Sequence, residues 1–339
     1  MKYLSIDRPG KAAIYEEPYP ERKPGEATIK LLYGGICGSD LGSYRGTYAY
    51  VNTRRIIGHE VAAEIVDIGE NDRGLKKGMI VTLNPYFNCG HCYSCRRGLV
   101  NCCTDNQTLG CQRDGAFREY YTIDVNRLFD GGSIPPEKLV LVEPFVISYH
   151  GVKMADIKPG QRVLIVGAGT IGVLAALAAK HFGAKVWLCD VAEDKLQYAS
   201  DSFPVDGVFL NSSPEEFTRK VNEITDGDLF DVTVEAAGFP STFQNCIDAA
   251  CYDGHVIVMG ISKQSADFSF TTIQKKELIV RGSRNGVDQD FLDVMDIVAS
   301  NEFDISKLVT NIYPFDEAPR ALEEFDKNAA SMLKVLLKF

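Results

Sequence analysis

Two short turns of the sequence carry side chains that are typical metal ligands. The first, Cys37-Gly38-Ser39-Asp40, combines a thiol, a hydroxyl and a carboxylate. The second, Gly58-His59-Glu60, adds an imidazole and another carboxylate. A catalytic zinc takes nitrogen, sulfur and oxygen donors and keeps one coordination position open for substrate. A single cysteine or histidine is more often a packed core residue, but together the two turns predict a catalytic metal centre.

A separate group of four cysteines has the spacing of a structural metal site. The run Cys89-x-x-Cys92-x-x-Cys95-x7-Cys103 places four thiols in one short segment. Four thiolates suit a closed tetrahedral zinc, which stabilises a loop too polar to fold by itself. On spacing alone Cys102 can replace Cys103. Two disulfides are the alternative, but that pairing is rare in a reducing compartment.

A glycine-rich turn predicts a dinucleotide site. The turn follows a buried-type run at 163–166 and precedes a helix candidate at 173–181, and Asp190 closes the next strand. In this motif the backbone approaches the pyrophosphate at the N-terminus of the helix, and the acid accepts hydrogen bonds from the ribose, which favours NAD over NADP. The alternative is an ordinary strand-to-helix turn. The residues expected to bind NAD are Gly167, Gly169, Thr170, Ile171, Gly172, Asp190 and Lys195.

The elements that must position these residues change in type near residue 152. Before it, short apolar runs indicate a β-rich domain, with strand candidates at 27–33, 61–66, 79–83, 116–123 and 139–143. After it, strands alternate with helices, as in a doubly wound parallel sheet; the strand candidates lie at 163–166, 185–189, 207–210, 231–235, 255–259 and 278–281. The last elements, at 289–300, 314–327 and 332–339, are assigned to the first domain. The predicted domains are therefore 1–151 with 287–339, and 152–286.

Composition narrows the range of partners and compartments. The 339 residues carry a formal net charge of −10, which argues against nucleic acid and anionic membrane surfaces. No apolar run approaches the roughly 20 residues that span a bilayer. Asp7 interrupts the start of the chain before a signal-peptide core can form. We therefore expect a cytoplasmic protein whose partner is a small molecule.

These motifs together resemble the zinc-dependent alcohol dehydrogenases of the medium-chain dehydrogenase/reductase superfamily, over essentially the whole chain. The resemblance implies an α/β protein with a GroES-like catalytic domain and a Rossmann domain, one catalytic and one structural zinc, and NAD. It implies Cys37 and His59 as catalytic ligands, Glu143 in the third position, and Glu60 as an alternative or water-linked ligand. Glu143 resembles the polyol, sugar-acid and L-threonine dehydrogenase branch. The run Arg281-Gly282-Ser283-Arg284-Asn285 looks most like the L-galactonate (sugar-acid) dehydrogenases.

The reaction implied by the resemblance is NAD-dependent oxidation of a secondary alcohol to a ketone. Ser39 would accept the hydroxyl proton, Asp40 would orient His59, and Glu60 would assist at the metal. A polyhydroxylated substrate would contact Ser39, Glu143, Arg284 and Asn285, with Tyr44, Tyr48 and Arg113 as further candidates.

The sequence departs from the family in one place and leaves other readings open. The relay histidine of the polyol and threonine enzymes is Gly42 here. Either Ser43 or Tyr44 helps a water chain, or the cofactor ribose hydroxyls do so, or the proton leaves another way. The alternatives are an L-threonine 3-dehydrogenase, a neutral polyol dehydrogenase for sorbitol or galactitol, and a non-catalytic dinucleotide-binding protein. The resemblance also implies a homodimer or homotetramer.

Overall fold

The chain folds into two compact units. A computed structural model describes residues 1–47 and 54–339. One unit comprises Met1–Glu143 and Val287–Phe339, and the other comprises Pro144–Gly286. The first division lies before the predicted domain boundary at 151/152, which stays a prediction, and the second coincides with 286/287. None of the described helices is both long and apolar enough to cross a membrane.

The N-terminal part of the first unit is mainly β-structure. Its strands are β1 (Lys2–Arg8), β2 (Lys11–Glu16), β3 (Glu26–Ile36), β4 (Arg55–Ile56), β5 (Glu60–Ile68), β6 (Ile80–Leu83), β7 (Tyr86–Phe87), β8 (Gln107–Thr108), β9 (Tyr120–Asp124) and β10 (Leu128–Asp130). Its helices are α1 (Gly38–Arg45), α2 (Tyr93–Arg96) and α3 (Pro136–Leu139). The strand predicted at 116–123 thus begins later, at Tyr120.

The second unit alternates helices with parallel strands. Its helices are α4 (Val142–Lys153, which enters from the first unit), α5 (Thr170–His181), α6 (Glu193–Ser202), α7 (Pro214–Thr225), α8 (Pro240–Ala249) and α9 (Phe270–Lys276). Its strands are β11 (Arg162–Val166), β12 (Lys185–Asp190), β13 (Gly207–Leu210), β14 (Phe230–Glu235), β15 (Ala250–Val258) and β16 (Ile279–Gly282). They pair in the order β13-β12-β11-β14-β15-β16. This confirms the predicted doubly wound parallel sheet.

The C-terminal elements return to the first unit. They are α10 (Asp288–Ala299), β17 (Val309–Pro314), α11 (Ala318–Lys327) and β18 (Lys334–Lys338). The main sheet of this unit has the order β10-β6-β5-β3-β18-β17, and β9 also pairs with β3. The final strand therefore lies beside β3, the strand that leads to the first predicted metal turn.

Strand register places the two metal turns at the same end of this sheet. Strand β3 is antiparallel to β5, with Gly35 opposite Glu60. It is also antiparallel to β18, with Ile36 opposite Val335. The chain leaves β3 at Cys37 and enters β5 just after His59, so that neighbouring strands deliver both turns to one place.

The strand predicted at 139–143 is wrong, because this segment is helical. Helix α3 ends at Leu139 and α4 begins at Val142. Residues 139–142 are all fully buried, and a short apolar run that is buried on every side fits either a strand or a helix. Pro136 and Pro144 lie in the first turns of the two helices, where a missing N–H breaks no intrahelical bond.

Candidate active site

Three side chains from the predicted metal turns converge in the first unit. The ligand atoms of Cys37, His59 and Glu60 lie within 4.8 Å of one another. His59 is 5% exposed and Glu60 is fully buried. A thiol, an imidazole and a carboxylate at this spacing are a donor set that suits zinc.

The electrostatics of His59 reflect a site with an excess of negative groups. Burial opposes the charged imidazole, but the charge and hydrogen bond of Cys37, together with Asp40, raise the pKa of His59 well above its usual value. Nδ1 of the ring is buried and has no hydrogen-bond partner in residues 1–47 and 54–339. A buried nitrogen left without a partner is costly, and negative donors surrounding it favour a cation. The residues present therefore fit a metal ion.

Asp40 organises the first turn. Its Oδ2 accepts a hydrogen bond of 2.9 Å from the backbone N–H of Cys37, in a capping arrangement at the start of α1. The carboxyl is 1% exposed, and burial raises its pKa against the opposing influence of His59. Asp40 thus holds the Cys37 backbone in place, and its predicted role in orienting His59 stays a prediction.

Glu143 lies near this group, and it is bonded to a tyrosine that the sequence did not single out. The Tyr86 hydroxyl donates to Oε1 of Glu143. Both residues are buried, with 5% and 3% exposure. Burial raises the pKa of Glu143 to about 7, against the lowering effect of His59. Glu143 does not belong to the group of Cys37, His59 and Glu60 whose ligand atoms lie within 4.8 Å of one another. It does interact electrostatically with His59 and Glu60. The candidate centre therefore has one buried glutamate in the group and a second one nearby.

Glu60 has a second partner that no sequence motif indicated. Nζ of Lys334 lies 2.7 Å from each carboxylate oxygen of Glu60. Lys334 is 3% exposed. Burial disfavours its charged form, but the Glu60 charge raises the pKa of Lys334 above its usual value. The sequence did hold one signal for this pair: Lys334 begins strand β18 and is followed by three apolar residues, 335–337. A lysine in a buried strand requires a partner for its charge.

Ser39 has a hydroxyl without a partner. Its Oγ is buried and makes no hydrogen bond among the described residues. Ser43, one turn later in α1, instead donates to the Ser39 carbonyl at 2.9 Å. Tyr44 packs against the core of the unit. Of the two serines of this turn, Ser39 therefore has the hydroxyl that makes no hydrogen bond among the described residues.

The cysteine lobe forms a second candidate metal site. The sulfur atoms of Cys89, Cys92, Cys95 and Cys103 lie within 4.8 Å of one another. Cys92 and Cys103 sulfurs are 4.0 Å apart, close to the roughly 3.8 Å edge of a tetrahedron built on Zn–S bonds of about 2.3 Å. Backbone hydrogen bonds, from Cys95 first, lower the pKa of the Cys92 thiol to about 5. None of the ten cysteines, all of which lie in the described residues, forms a disulfide. Cys102 is exposed, whereas Cys103 is buried.

The glycine turn has the backbone geometry that a dinucleotide requires. Gly167 has a φ of 114° and Gly169 caps the N-terminus of α5. A Cβ on Gly172 would lie 1.7 Å from the Gly167 carbonyl oxygen, so the helix can pack this closely only with glycine there. Thr170 and Ile171 form the first turn of α5.

Asp190 ties this turn to the end of β12. Its Oδ2 accepts from the Ala168 N–H at 2.7 Å, and its Oδ1 accepts from the Ala192 N–H at 2.9 Å. A carboxylate has further lone pairs, so the ribose hydroxyls remain acceptable partners. Burial lowers the pKa of Lys195, which the charge of Asp190 opposes.

The remaining substrate candidates belong to different parts of the chain. Arg284 and Asn285 follow β16 in the second unit, and Asn285 has a φ of 53°. Arg113, in the first unit, stacks its guanidinium 3.8 Å from the centre of the Phe87 ring. Tyr48 lies outside the described residues.

Comparison with known proteins identifies the family. Residues 23–135 match the model described as alcohol dehydrogenase GroES-like domain, and residues 170–300 match zinc-binding dehydrogenase. The chain is 32% identical to L-galactonate-5-dehydrogenase of Escherichia coli K12, covering 100% of this chain and 99% of that protein. It is 30% identical to L-threonine 3-dehydrogenase of Pyrococcus horikoshii, with coverage of 100% and 99%.

A solved structure agrees over the same length. The alcohol dehydrogenase RspB of E. coli CFT073, complexed with NADH, matches with a TM-score of 0.91 and 29% identity, covering 100% of this chain and 99% of that one. These matches confirm the predicted family and the predicted fold, a GroES-like domain together with a Rossmann domain. The chain therefore belongs to the zinc-dependent alcohol dehydrogenase family.

Proposed function

We propose that this protein oxidises a secondary alcohol of a sugar acid or polyol to a ketone, with NAD as hydride acceptor and two zinc ions per chain. The observation that carries the proposal is the group of half-buried Cys37 and buried His59 and Glu60, whose ligand atoms lie within 4.8 Å of one another. When bound there, zinc would act as a Lewis acid on the substrate hydroxyl. The second zinc would be held by the cysteine lobe.

In this proposal Ser39 receives the proton that the substrate hydroxyl loses. Its Oγ is buried and has no partner in the part of the chain that the structure describes, so it can turn towards a bound hydroxyl and accept a hydrogen bond from it. Because Ser43 already donates to the Ser39 carbonyl, Ser39 is the better first acceptor. Gly42 offers no side chain for the next step, which we assign to the hydroxyls of the cofactor ribose.

The substrate class rests on a carboxylate as well as on hydroxyls. A guanidinium forms paired hydrogen bonds with a carboxylate, and we assign this role to Arg284. The relative at 32% identity is an L-galactonate-5-dehydrogenase, whose named substrate is a sugar acid. L-Threonine is the second candidate, because the relative at 30% identity acts on it and it too combines a secondary alcohol with a carboxylate.

The test is NADH formation by zinc-loaded protein with L-galactonate, L-gulonate, other hexonates, sorbitol, galactitol, L-threonine and ethanol, alongside metal content per chain. Turnover restricted to hexonates supports the sugar-acid assignment. Turnover of L-threonine or a neutral polyol keeps the reaction and replaces the substrate. Silence throughout with one zinc per chain contradicts the proposal and favours a dinucleotide-binding protein without activity.

Arg284→Met tests the carboxylate contact, with Arg281→Met on the exposed strand β16 as the matched control. We expect KM to rise far more for acids than for neutral polyols in the first variant and to stay unchanged in the second. Equal effects on both substrate classes would remove the assignment. The homodimer or homotetramer implied by the resemblance stays a prediction, which light scattering can test.

A further inference from the structure

A buried glutamate in the second unit has no cation as its partner. Glu235 ends β14, and its side chain is 1% exposed. It forms no ion pair with any arginine, lysine or histidine that the structure describes. A buried carboxylate is normally paired with a cation, because taking its charge out of water is costly. Neither proposed metal site uses this charge.

Neutral donors hold one oxygen of this carboxylate. Oε1 of Glu235 accepts hydrogen bonds from the backbone N–H groups of Ala237 at 3.0 Å and Gly238 at 2.7 Å. The hydroxyl of Thr242 donates to the same oxygen at 2.6 Å. Hydrogen bonds of this kind favour the ionised carboxylate. The N-terminus of α8, which begins at Pro240, adds only a partial positive charge, so the negative charge of Glu235 is not fully compensated.

The carboxylate is fixed between the glycine turn and the end of the next strand. Gly260 follows β15, and a Cβ built on it would lie 2.2 Å from Oε2 of Glu235 and 2.4 Å from the backbone nitrogen of Gly238. A Cβ on Gly167 would lie 3.0 Å from the carbonyl carbon of Ala236. The turn that Glu235 holds therefore packs directly against the turn expected to bind the pyrophosphate.

Strand order places Glu235 beside the nicotinamide half of the proposed cofactor site. The winding of the sheet β13-β12-β11-β14-β15-β16 changes direction between β11 and β14, and a dinucleotide lies across the carboxyl ends of the strands at such a point. Asp190, the expected partner of the adenosine ribose, ends β12 on one side of β11. Glu235 ends β14 on the other side, over which the nicotinamide half must extend.

We infer that Glu235 is the counter-charge of the oxidised nicotinamide ring and raises the affinity of this protein for NAD⁺ relative to NADH. The ring carries a positive charge in NAD⁺ and is neutral in NADH, because it has accepted a hydride. A fixed carboxylate nearby therefore stabilises the oxidised form alone. This inference rests on the proposed use of NAD and adds to it the residue that distinguishes the two redox forms.

The same charge favours cofactor exchange in the direction of alcohol oxidation. The hydride brings two electrons to the ring and removes its positive charge, so the attraction of Glu235 is lost as the product forms. The carboxylate thus favours binding of NAD⁺ before the reaction and release of NADH after it.

The test is Glu235→Gln, which keeps the length of the side chain and an acceptor for the three donors and removes the charge. Kd is measured separately for NAD⁺ and NADH by titration calorimetry without substrate. We expect the ratio of Kd for NADH to Kd for NAD⁺ to fall by about 4–16-fold, the effect of one unit charge acting over about 10 Å at an effective dielectric constant of about 20–40.

Three other carboxylate variants are matched controls. Asp190→Asn acts on the adenosine side, where the two cofactor forms are identical, so it should weaken both by the same factor. Asp231→Asn lies at the opposite end of β14, about 13 Å away, where Oδ2 accepts from the Arg162 N–H; it should leave the ratio unchanged. Glu235→Asp keeps the charge on a shorter side chain, so it should weaken both forms with little change in the ratio.

The ratio separates an effect of charge from an effect of structure. If Glu235 only holds the turn at 236–238, Glu235→Gln would weaken NAD⁺ and NADH equally, and this unchanged ratio would overturn the inference and leave the proposed function standing. If the variant folds poorly, the rise of its Tm with equal concentrations of NAD⁺ and of NADH reports the same ratio, because each ligand stabilises the fold according to its affinity. Wild-type protein that binds neither form would contradict both.

Discussion

Substitution of Gly35 by alanine should destabilise the first unit severely, although it adds a single methyl group. The new Cβ would lie 2.1 Å from Oε2 and 3.1 Å from Cβ of Glu60. The end of a glutamate side chain can usually move aside. Here both of its oxygens lie 2.7 Å from Nζ of Lys334, so that moving the carboxylate breaks a buried ion pair.

Breaking a buried pair typically costs about 3–5 kcal/mol, because a desolvated charge is left without compensation. The exposed fractions of Glu60 and Lys334, 0% and 3%, place this pair in that class. For a unit of this size, each kcal/mol lowers Tm by roughly 2–4 °C. We therefore expect Gly35→Ala to lower the free energy of unfolding by about 3–5 kcal/mol and Tm by about 6–20 °C.

Urea unfolding followed by circular dichroism measures this change, and Gly38→Ala is the control from the same segment. No atom lies within 4 Å of a Cβ built on Gly38. That substitution should be neutral or stabilise by about 0.4–1 kcal/mol, because alanine restricts the unfolded chain. If Gly35→Ala unfolds within about 1 kcal/mol of wild type, the reasoning that Glu60 is held rigidly against β3 is refuted.

Three further predictions concern the cysteine lobe, the third catalytic ligand and the NAD site. Cys103→Ser should remove the lobe zinc and lower the unfolding midpoint, whereas Cys102→Ser, at an exposed neighbour, should change neither; equal metal content in both would contradict the lobe ligand set. Glu143→Ala should lose one zinc and keep the other, as measured by metal analysis, and full activity in this variant would exclude Glu143 as a ligand. Asp190→Ala should raise KM for NAD at unchanged zinc content, because the carboxylate also holds the Ala168 N–H at 2.7 Å; an unchanged KM would leave Asp190 with a purely local role.

Motifs that are local in the chain were predictable from it. The glycine turn, the cysteine lobe and the alternation of helices and strands in the second unit depend on neighbours only a few residues apart, and their chemistry follows from spacing. The strand assigned to 139–143 failed for the opposite reason. Its four apolar residues are buried on all sides, and periodicity cannot distinguish a strand from a helix when no face is polar.

The sequence alone determined the kind of chemistry in this protein, because thiol, imidazole and carboxylate groups at these spacings have few other uses. It did not determine which carboxylate serves the metal. Nor did it indicate the partners of the two glutamates, Lys334 and Tyr86, which reach Glu60 and Glu143 from positions 274 and 57 residues away along the chain. The choice between Cys102 and Cys103 was likewise open on spacing, and the structure brings the buried Cys103 to the other three thiols and leaves Cys102 exposed. In each case the deciding partner is brought in by strand register and packing, which depend on the whole first unit and leave no local pattern.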